Sequence, residues 1–160
     1  MKITTTIEIP AAPEAVWPLL YGSKMTIKAP LLLRLVGIEP KACRLVEGRG
    51  EGARRQCLTG DGAMNQRITE WKENEVLAFR MESETVGLKW VEALDDRFTL
   101  ERTGEGTRLT RTTNVKLAGM CRPFKALAIF VTLKKIHRYV FENWSAEASV
   151  SPVEAGSLRR

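Results

Sequence analysis

The first forty residues change from a strand-like to a helix-like pattern of apolar side chains. Residues 3–9, ITTTIEI, place all three isoleucines on one side, which is typical of a half-buried strand. Pro13 suits a first helical turn because it has no N–H to satisfy, so residues 13–21 predict a short helix. The leucine cluster within residues 23–37 indicates a second short helix.

Six further segments have the residue types and alternation of strands. They are residues 41–47, 53–59, 64–71, 76–81, 88–102 and 107–117. Short polar loops join them, so they predict an antiparallel meander. The loop at 48–52, GRGEG, lacks the spacing and the following helix of a phosphate-binding motif, and it predicts a hairpin turn instead.

The C-terminal segment is the longest run without a helix breaker. No Pro or Gly occurs between Phe124 and Ser151, which predicts one helix of about seven turns. A single long helix after so many strands has to bury its apolar face on the sheet. The pattern therefore predicts an α+β fold: a curved antiparallel sheet of about seven strands wrapped around a long terminal helix, with two short helices after the first strand.

Composition limits the classes of function. The 160 residues carry a net charge of +6 and 44% hydrophobic residues, which indicates one globular domain over residues 1–150, and we expect a mobile tail over 151–160. The basic residues are scattered without a nucleic-acid-binding motif, so no specific nucleic acid is expected, although weak association with an acidic membrane surface stays open. No signal peptide or transmembrane segment is recognised, and we expect a cytoplasmic protein.

The cysteines and the single histidine offer little metal chemistry. Cys43, Cys57 and Cys121 match no zinc or redox spacing, and they are predicted to be buried thiols in a reducing cytoplasm. We expect no metal and no cofactor. His137 lies beside Lys134 and Lys135, which favours a solvated helix flank; the alternative is an inward-pointing proton-transfer residue.

Several motifs resemble one known superfamily. Residues 9–17, IPAAPEAVW, residues 67–71, RITEW, Phe79, and residues 106–110, GTRLT, occur in the order found in START-like (SRPBCC) proteins. The chain is similar, over about residues 3–148, to the branch that groups polyketide cyclase/dehydrase-like proteins with Bet v 1-like lipid carriers. The resemblance implies a helix-grip fold, with lipids, polyketides or other apolar molecules held between sheet and helix. Relatives often carry a glutamate where this chain has Gln66, so no carboxylate role is expected there.

The last hairpin allows its register to be predicted. A turn centred on residues 104–105 would pair Leu100 with Leu109 and Phe98 with Arg111, so that apolar residues share one face. The same parity turns Asp96 and Arg111 inward, either as a structural ion pair or as polar anchors of an apolar pocket. The predicted cavity lining is Ile7, Ile9, Gln66, Phe79, Met81, Trp90, Leu94, Asp96, Phe98, Arg111, Thr113, Phe124, Leu127, Val131 and Tyr139.

Three functions follow from these features. The leading hypothesis is a non-catalytic protein that binds an apolar or amphipathic small molecule in the cavity. The alternative is a polyketide-cyclase/dehydrase-like enzyme, which would need further polar groups in the pocket. The third is a membrane-surface or macromolecular interaction module that uses the basic helix flank. Residues 23–37 are predicted to form either a lid over the cavity mouth or a satellite patch of core.

Overall fold

The computed structural model describes residues 1–84, 90–119 and 122–150. The prediction for the tail at 151–160, the start of the strand at 88–89 and Cys121 lie outside the described residues. Eight antiparallel strands form one sheet in the order β1-β8-β7-β6-β5-β4-β3-β2. The strands are β1 (Lys2–Ile9), β2 (Ser23–Lys24), β3 (Ala42–Glu47), β4 (Arg54–Leu58), β5 (Ala63–Lys72), β6 (Val76–Glu84), β7 (Val91–Thr103) and β8 (Gly106–Leu117).

The sheet curves around the C-terminal helix, which confirms the predicted helix-grip architecture. The helices are α1 (Pro13–Tyr21), α2 (Leu31–Leu35) and α3 (Arg122–Val150). The strand count is eight rather than about seven because the two-residue β2 pairs with β3 and extends one edge of the sheet. None of the helices among the described residues is both long and apolar enough to cross a bilayer.

The β7–β8 hairpin has the predicted register. Leu100 pairs with Leu109 and Phe98 with Arg111, and both leucines are buried. The pairing slips by one residue between Val91 and Ala93, which is a β-bulge. Since successive side chains of a strand point to opposite faces, the bulge reverses the alternation for Val91 relative to the residues from Ala93 onward.

The buried side chains form two clusters against α3. The larger one contains the aromatic side chains Trp17, Phe79, Phe98 and Trp144, and Phe98 and Trp144 stack with their ring centres 5.5 Å apart. A smaller cluster lies nearer the N-terminal end of the helix and contains Ile3, Leu94, Val115, Ile129 and Leu133. The space between these two clusters is where the fold leaves room for a cavity.

The β3–β4 hairpin overturns the prediction of three free thiols. Cys43 and Cys57 lie directly opposite each other with Cα atoms 4.1 Å apart, and their sulfur atoms form a disulfide. The hairpin loop centred on Gly50 already places these positions opposite each other. Cysteine spacing alone does not show this, because the pairing depends on the register of the strands rather than on the number of intervening residues.

Candidate functional site

A cavity lies between the inner face of the sheet and α3. It offers about 100 Å³ to the centre of a water-sized sphere, enough for several waters or part of a small organic molecule. Most of the wall is apolar, and four polar or charged side chains (Arg55, Gln66, Asp96, Arg111) enter it from the sheet. The wall residues are Met25, Ile38, Pro40, Cys43, Arg55, Cys57, Thr59, Met64, Gln66, Phe79, Val91, Leu94, Asp96, Phe98, Arg111, Ile129, Thr132, Leu133, Ile136, Val140 and Trp144.

Asp96 and Arg111 form a closed ion pair in the cavity wall. Arg111 donates from Nε and Nη2 to the two carboxylate oxygens of Asp96, at 3.0 and 2.8 Å. Burial raises the pKa of Asp96, but the charge and hydrogen bonds of Arg111 and the hydroxyl of Thr113 outweigh burial and leave the pKa below its usual value. Both side chains are buried, so each charge is neutralised by its partner.

His137 extends this pair into a chain of hydrogen bonds. The hydroxyl of Thr113 donates to Asp96 and lies 2.9 Å from His137 Nε2, while Thr5 Oγ1 lies 3.0 Å from Nδ1. Because the one hydroxyl proton of Thr113 goes to Asp96, Thr113 accepts from Nε2–H, and the neutral ring accepts from Thr5 at Nδ1. Burial first, and then the charge of Arg111, lower the pKa of His137 to about 3.

The burial of His137 corrects the prediction of a solvated flank. The side chain is fully buried because β1 packs along this side of α3 while the rest of the sheet covers the adjacent face. The helix is therefore enclosed over a wide arc. The covered surface of the helix therefore extends beyond the apolar side chains Ile136 and Val140, which lie in the cavity wall.

Arg55 and Gln66 form a second polar group in the wall. They are direct cross-strand neighbours on β4 and β5, and Arg55 Nη1 donates to Gln66 Oε1. The guanidinium carbon also lies 4.6 Å from the centre of the Phe79 ring. Burial first, and then the nearby charge of Arg111, lower the pKa of Arg55 to about 9, so it remains a cation at neutral pH.

Arg55 was not among the predicted cavity residues. Its strand was predicted, but no face was assigned to it. The signal was present, because Gln66 was placed inward and antiparallel pairing puts the side chains of directly opposite residues on the same face. A charged residue at an inward position runs against the usual hydrophobic pattern, which is why the pattern alone does not reveal it.

The predicted cavity residues fall into three groups. Six lie in the wall: Gln66, Phe79, Leu94, Asp96, Phe98 and Arg111. Five pack behind it in the core or its polar network: Ile7, Ile9, Met81, Thr113 and Tyr139. The participation of these residues in ligand binding stays a prediction.

The remaining four, beginning with Trp90, lie outside the cavity. Trp90 precedes the bulge in β7 and is 49% exposed, whereas Val91 takes the inward position. Its predicted place assumed an unbroken alternation along β7, and the bulge reverses that alternation.

Phe124, Leu127 and Val131 correct the predicted helix stripe. Their side chains are exposed, whereas Ile129 and Leu133 from the opposite side of the same turns enter the cavity wall. Val131 and Leu133 are two residues apart, about 200° around a helix, so they lie on opposite faces. The start of α3 has apolar residues on both faces, and the sheet contacts only one of them.

The segment before β3 closes one end of the cavity. The N–H groups of Thr26 and Ile27 donate to Asn143 Oδ1 at 2.8 and 2.9 Å, and the Tyr139 hydroxyl donates to the carbonyl of Ile27 at 2.8 Å. Met25 belongs to the cavity wall. Part of α2 is core, because Leu33 is fully buried, and a gating role for its exposed leucines stays a prediction.

The fold and the partly open cavity define a helix-grip protein with a site between sheet and helix. The model of the family described as polyketide cyclase / dehydrase and lipid transport matches residues 1–149, and the chain belongs to this family. No curated protein matches the chain in sequence.

Solved structures share the fold at low sequence identity. The Zhui aromatase/cyclase from Streptomyces sp. R1128 has a TM-score of 0.66 at 13% identity, with 93% of each chain covered. TTHA0849 from Thermus thermophilus has a TM-score of 0.64 at 16% identity, covering 94% of this chain and 99% of the other. A START superfamily protein from Mycobacterium smegmatis has a TM-score of 0.60 at 15% identity, with 95% and 98% covered. At these identities the similarity concerns the fold.

Proposed function

We propose that this protein binds an apolar or amphipathic small molecule in the cavity between the sheet and α3. The observation that carries the proposal is the cavity itself, a partly open and mostly apolar space with polar groups gathered on the sheet side. Atoms that line such a space lack van der Waals contacts in the empty protein, and a ligand of matching size supplies these contacts. The family, described as including lipid transport, supports the same function.

The size of the cavity sets the expected affinity. Burial of about 400 Å² of apolar ligand surface at about 25 cal/mol per Å² contributes about 10 kcal/mol. Association costs at least about 4 kcal/mol, which leaves a dissociation constant of about tens of micromolar. The present volume suits a short chain or a single ring, and the flexible side chains of Met25 and Met64 in the wall are able to adapt to a larger ligand.

A neutral fluorescent probe tests the proposal. N-phenyl-1-naphthylamine brightens in apolar surroundings, and its saturable binding to the protein is the expected result. Thr132→Phe fills the cavity from α3 and should weaken probe binding, whereas Val131→Phe, on the exposed side of the same helix, should not. Equal binding by the two variants would place the probe somewhere other than this cavity.

A cyclase/dehydrase-like reaction is the second candidate, favoured by one observation. Arg55 and Gln66 add polar groups to the pocket beyond the Asp96–Arg111 pair, as an enzyme of this kind requires. The titratable groups favour binding instead, because His137 has a pKa of about 3 and stays neutral, and Asp96 is already paired. Incubation with a linear β-polyketone analogue, followed by mass spectrometry for loss of water, would detect the reaction.

A membrane-surface role has a separate observation in its favour. The exposed face of α3 places Phe124, Leu127 and Val131 next to Lys135 and Arg138, an apolar and basic combination that suits acidic lipid surfaces. Flotation with vesicles of phosphatidylcholine and phosphatidylserine, at low and high salt, tests it. Association that depends on both the acidic lipid and low salt would support this role, and its absence would remove it.

The proposed location is the cytoplasm, where Cys43 and Cys57 would be expected as reduced thiols. A reducing compartment opposes the Cys43–Cys57 disulfide of the structure. Rapid alkylation of thiols in intact cells, followed by mass analysis, decides between them. Alkylated Cys43 and Cys57 would support the cytoplasm, and a protected pair would indicate an oxidising compartment.

A further inference from the structure

We infer that the ligand of this cavity carries a carboxylate and that Arg55 binds it. The inference rests on the proposed binding function and adds the chemical class of the ligand to it. Two arginine side chains enter the same cavity from the sheet, and the structure gives them different partners.

Arg111 shows how a guanidinium is neutralised in this cavity. Its Nε and Nη2 atoms form one edge of the planar group, and this edge makes two parallel hydrogen bonds to the Asp96 carboxylate. The arrangement is the bidentate geometry that a guanidinium and a carboxylate share. Arg111 therefore brings no free charge to a ligand.

Arg55 has no such partner. The side chain is 3% exposed, and among the described residues its one hydrogen-bond acceptor is the neutral amide oxygen of Gln66, which takes Nη1. Arg55 Nε is buried without a partner. Nε is one of the two donors that Arg111 uses for its carboxylate, and in Arg55 this donor is unpaired in a side chain that lines the cavity.

The charges of the cavity wall indicate the sign and size of the charge that a ligand has to supply. Arg111 and Asp96 cancel, and His137 is neutral in its hydrogen-bond chain, so Arg55 leaves one uncompensated positive charge. An unpaired buried charge is costly, and an apolar side chain at this position would be cheaper for folding alone. One negative charge on the ligand matches the excess, and a carboxylate has the planar geometry that a guanidinium binds.

The position of Arg55 also specifies how the ligand lies. The guanidinium lies over Phe79, with apolar wall residues such as Leu94 and Ile136 elsewhere around the space. A carboxylate on Arg55 therefore directs an apolar chain or ring toward α3. The expected ligand class is a small amphipathic monocarboxylate.

Octanoate and octan-1-ol test the inference, because they share a chain and differ in the charged head. Isothermal titration calorimetry with the wild-type chain near neutral pH should show octanoate binding at least about tenfold more tightly than the alcohol. Arg55→Met should remove that preference, and circular dichroism with thermal unfolding should show that the variant is folded. Arg54→Met is the matched control, since Arg54 immediately precedes Arg55 in β4 and lies on the exposed face.

Each outcome has a distinct meaning. Loss of the octanoate preference in Arg55→Met but not in Arg54→Met supports the inference. Equal affinity for octanoate and octan-1-ol in the wild-type chain overturns it, and this comparison needs no variant. A preference that survives in folded Arg55→Met also overturns it. If the wild-type chain binds neither octanoate, octan-1-ol nor the naphthylamine probe, the proposed binding function fails, and the carboxylate inference fails with it.

Discussion

Acidification should destabilise this protein through its single histidine. His137 is neutral in the folded state because burial, and then the charge of Arg111, oppose its protonation. Its Nε2 lies within hydrogen-bond distance of Thr113 and its Nδ1 within hydrogen-bond distance of Thr5. The charged groups that face it are Arg111 and Lys134, which oppose a proton, and Asp96, which favours one but is already paired. Protonation of the ring would place a further cation near Arg111 in a buried site.

The size of the effect follows from the two pKa values. Folding lowers the pKa of His137 from 6.5 to about 3, so between these values the unfolded chain binds a proton that the folded protein excludes. The associated stability is present above the unfolded pKa and is lost as the pH falls below it. Between about pH 7.5 and about pH 5 the free energy of unfolding should fall by about 2 kcal/mol from this group.

Urea denaturation followed by tryptophan fluorescence measures the change. His137→Gln keeps a side chain able to hydrogen-bond and removes the titration, so its stability should depend less on pH than that of the wild type, by about 2 kcal/mol over the same interval. Shifts of carboxyl groups such as Glu147 are common to both proteins and cancel in the difference. Parallel pH profiles of the two proteins would refute the buried, neutral state of His137.

Three further predictions concern the ion pair, one glycine and the disulfide. Arg111→Leu leaves Asp96 buried without its cationic partner and should lower the free energy of unfolding in urea denaturation by about 3–5 kcal/mol. Part of the loss should be recovered in the double variant Asp96→Leu/Arg111→Leu, and a single variant as stable as the wild type would contradict the ion pair. Gly106 has φ +148°, and a side chain there would meet the backbone at the end of β1. Gly106→Ala should therefore lower the free energy of unfolding by at least about 2 kcal/mol. An unchanged midpoint of thermal unfolding would contradict the close approach. Purified, denatured but unreduced protein should show one reactive thiol, and reduction of Cys43–Cys57 should cost about 3 kcal/mol for a loop of this length; three thiols before reduction would disprove the bond.

The β7–β8 hairpin illustrates what could be read from the sequence. Its register was predictable because a short turn fixes which residues are opposite, and Leu100 and Leu109 then have to share the buried face. The same reasoning failed at Trp90, since a bulge is one extra residue that the alternation does not announce. Local rules hold only up to such an irregularity.

The helix and the polar site depended on longer-range contacts. The sequence predicted that α3 is one long helix, because helix breakers and their absence act locally. Its two apolar faces were equivalent until the sheet covered Leu133 and left Leu127 exposed. Burial of His137 and of Arg55 was decided in the same way.

The sequence by itself determined the strand and helix segments, the antiparallel meander and the inward direction of Asp96 and Arg111, since these follow from periodicity and turn chemistry. Only the tertiary structure decided how much of α3 the sheet encloses and which guanidinium lacks a partner. The physical reason is that burial and charge compensation are properties of groups brought together from distant parts of the chain. Arg55 and Arg111 are the same residue type on inward strand positions, and their surroundings alone make one a structural ion and the other a candidate receptor for a ligand.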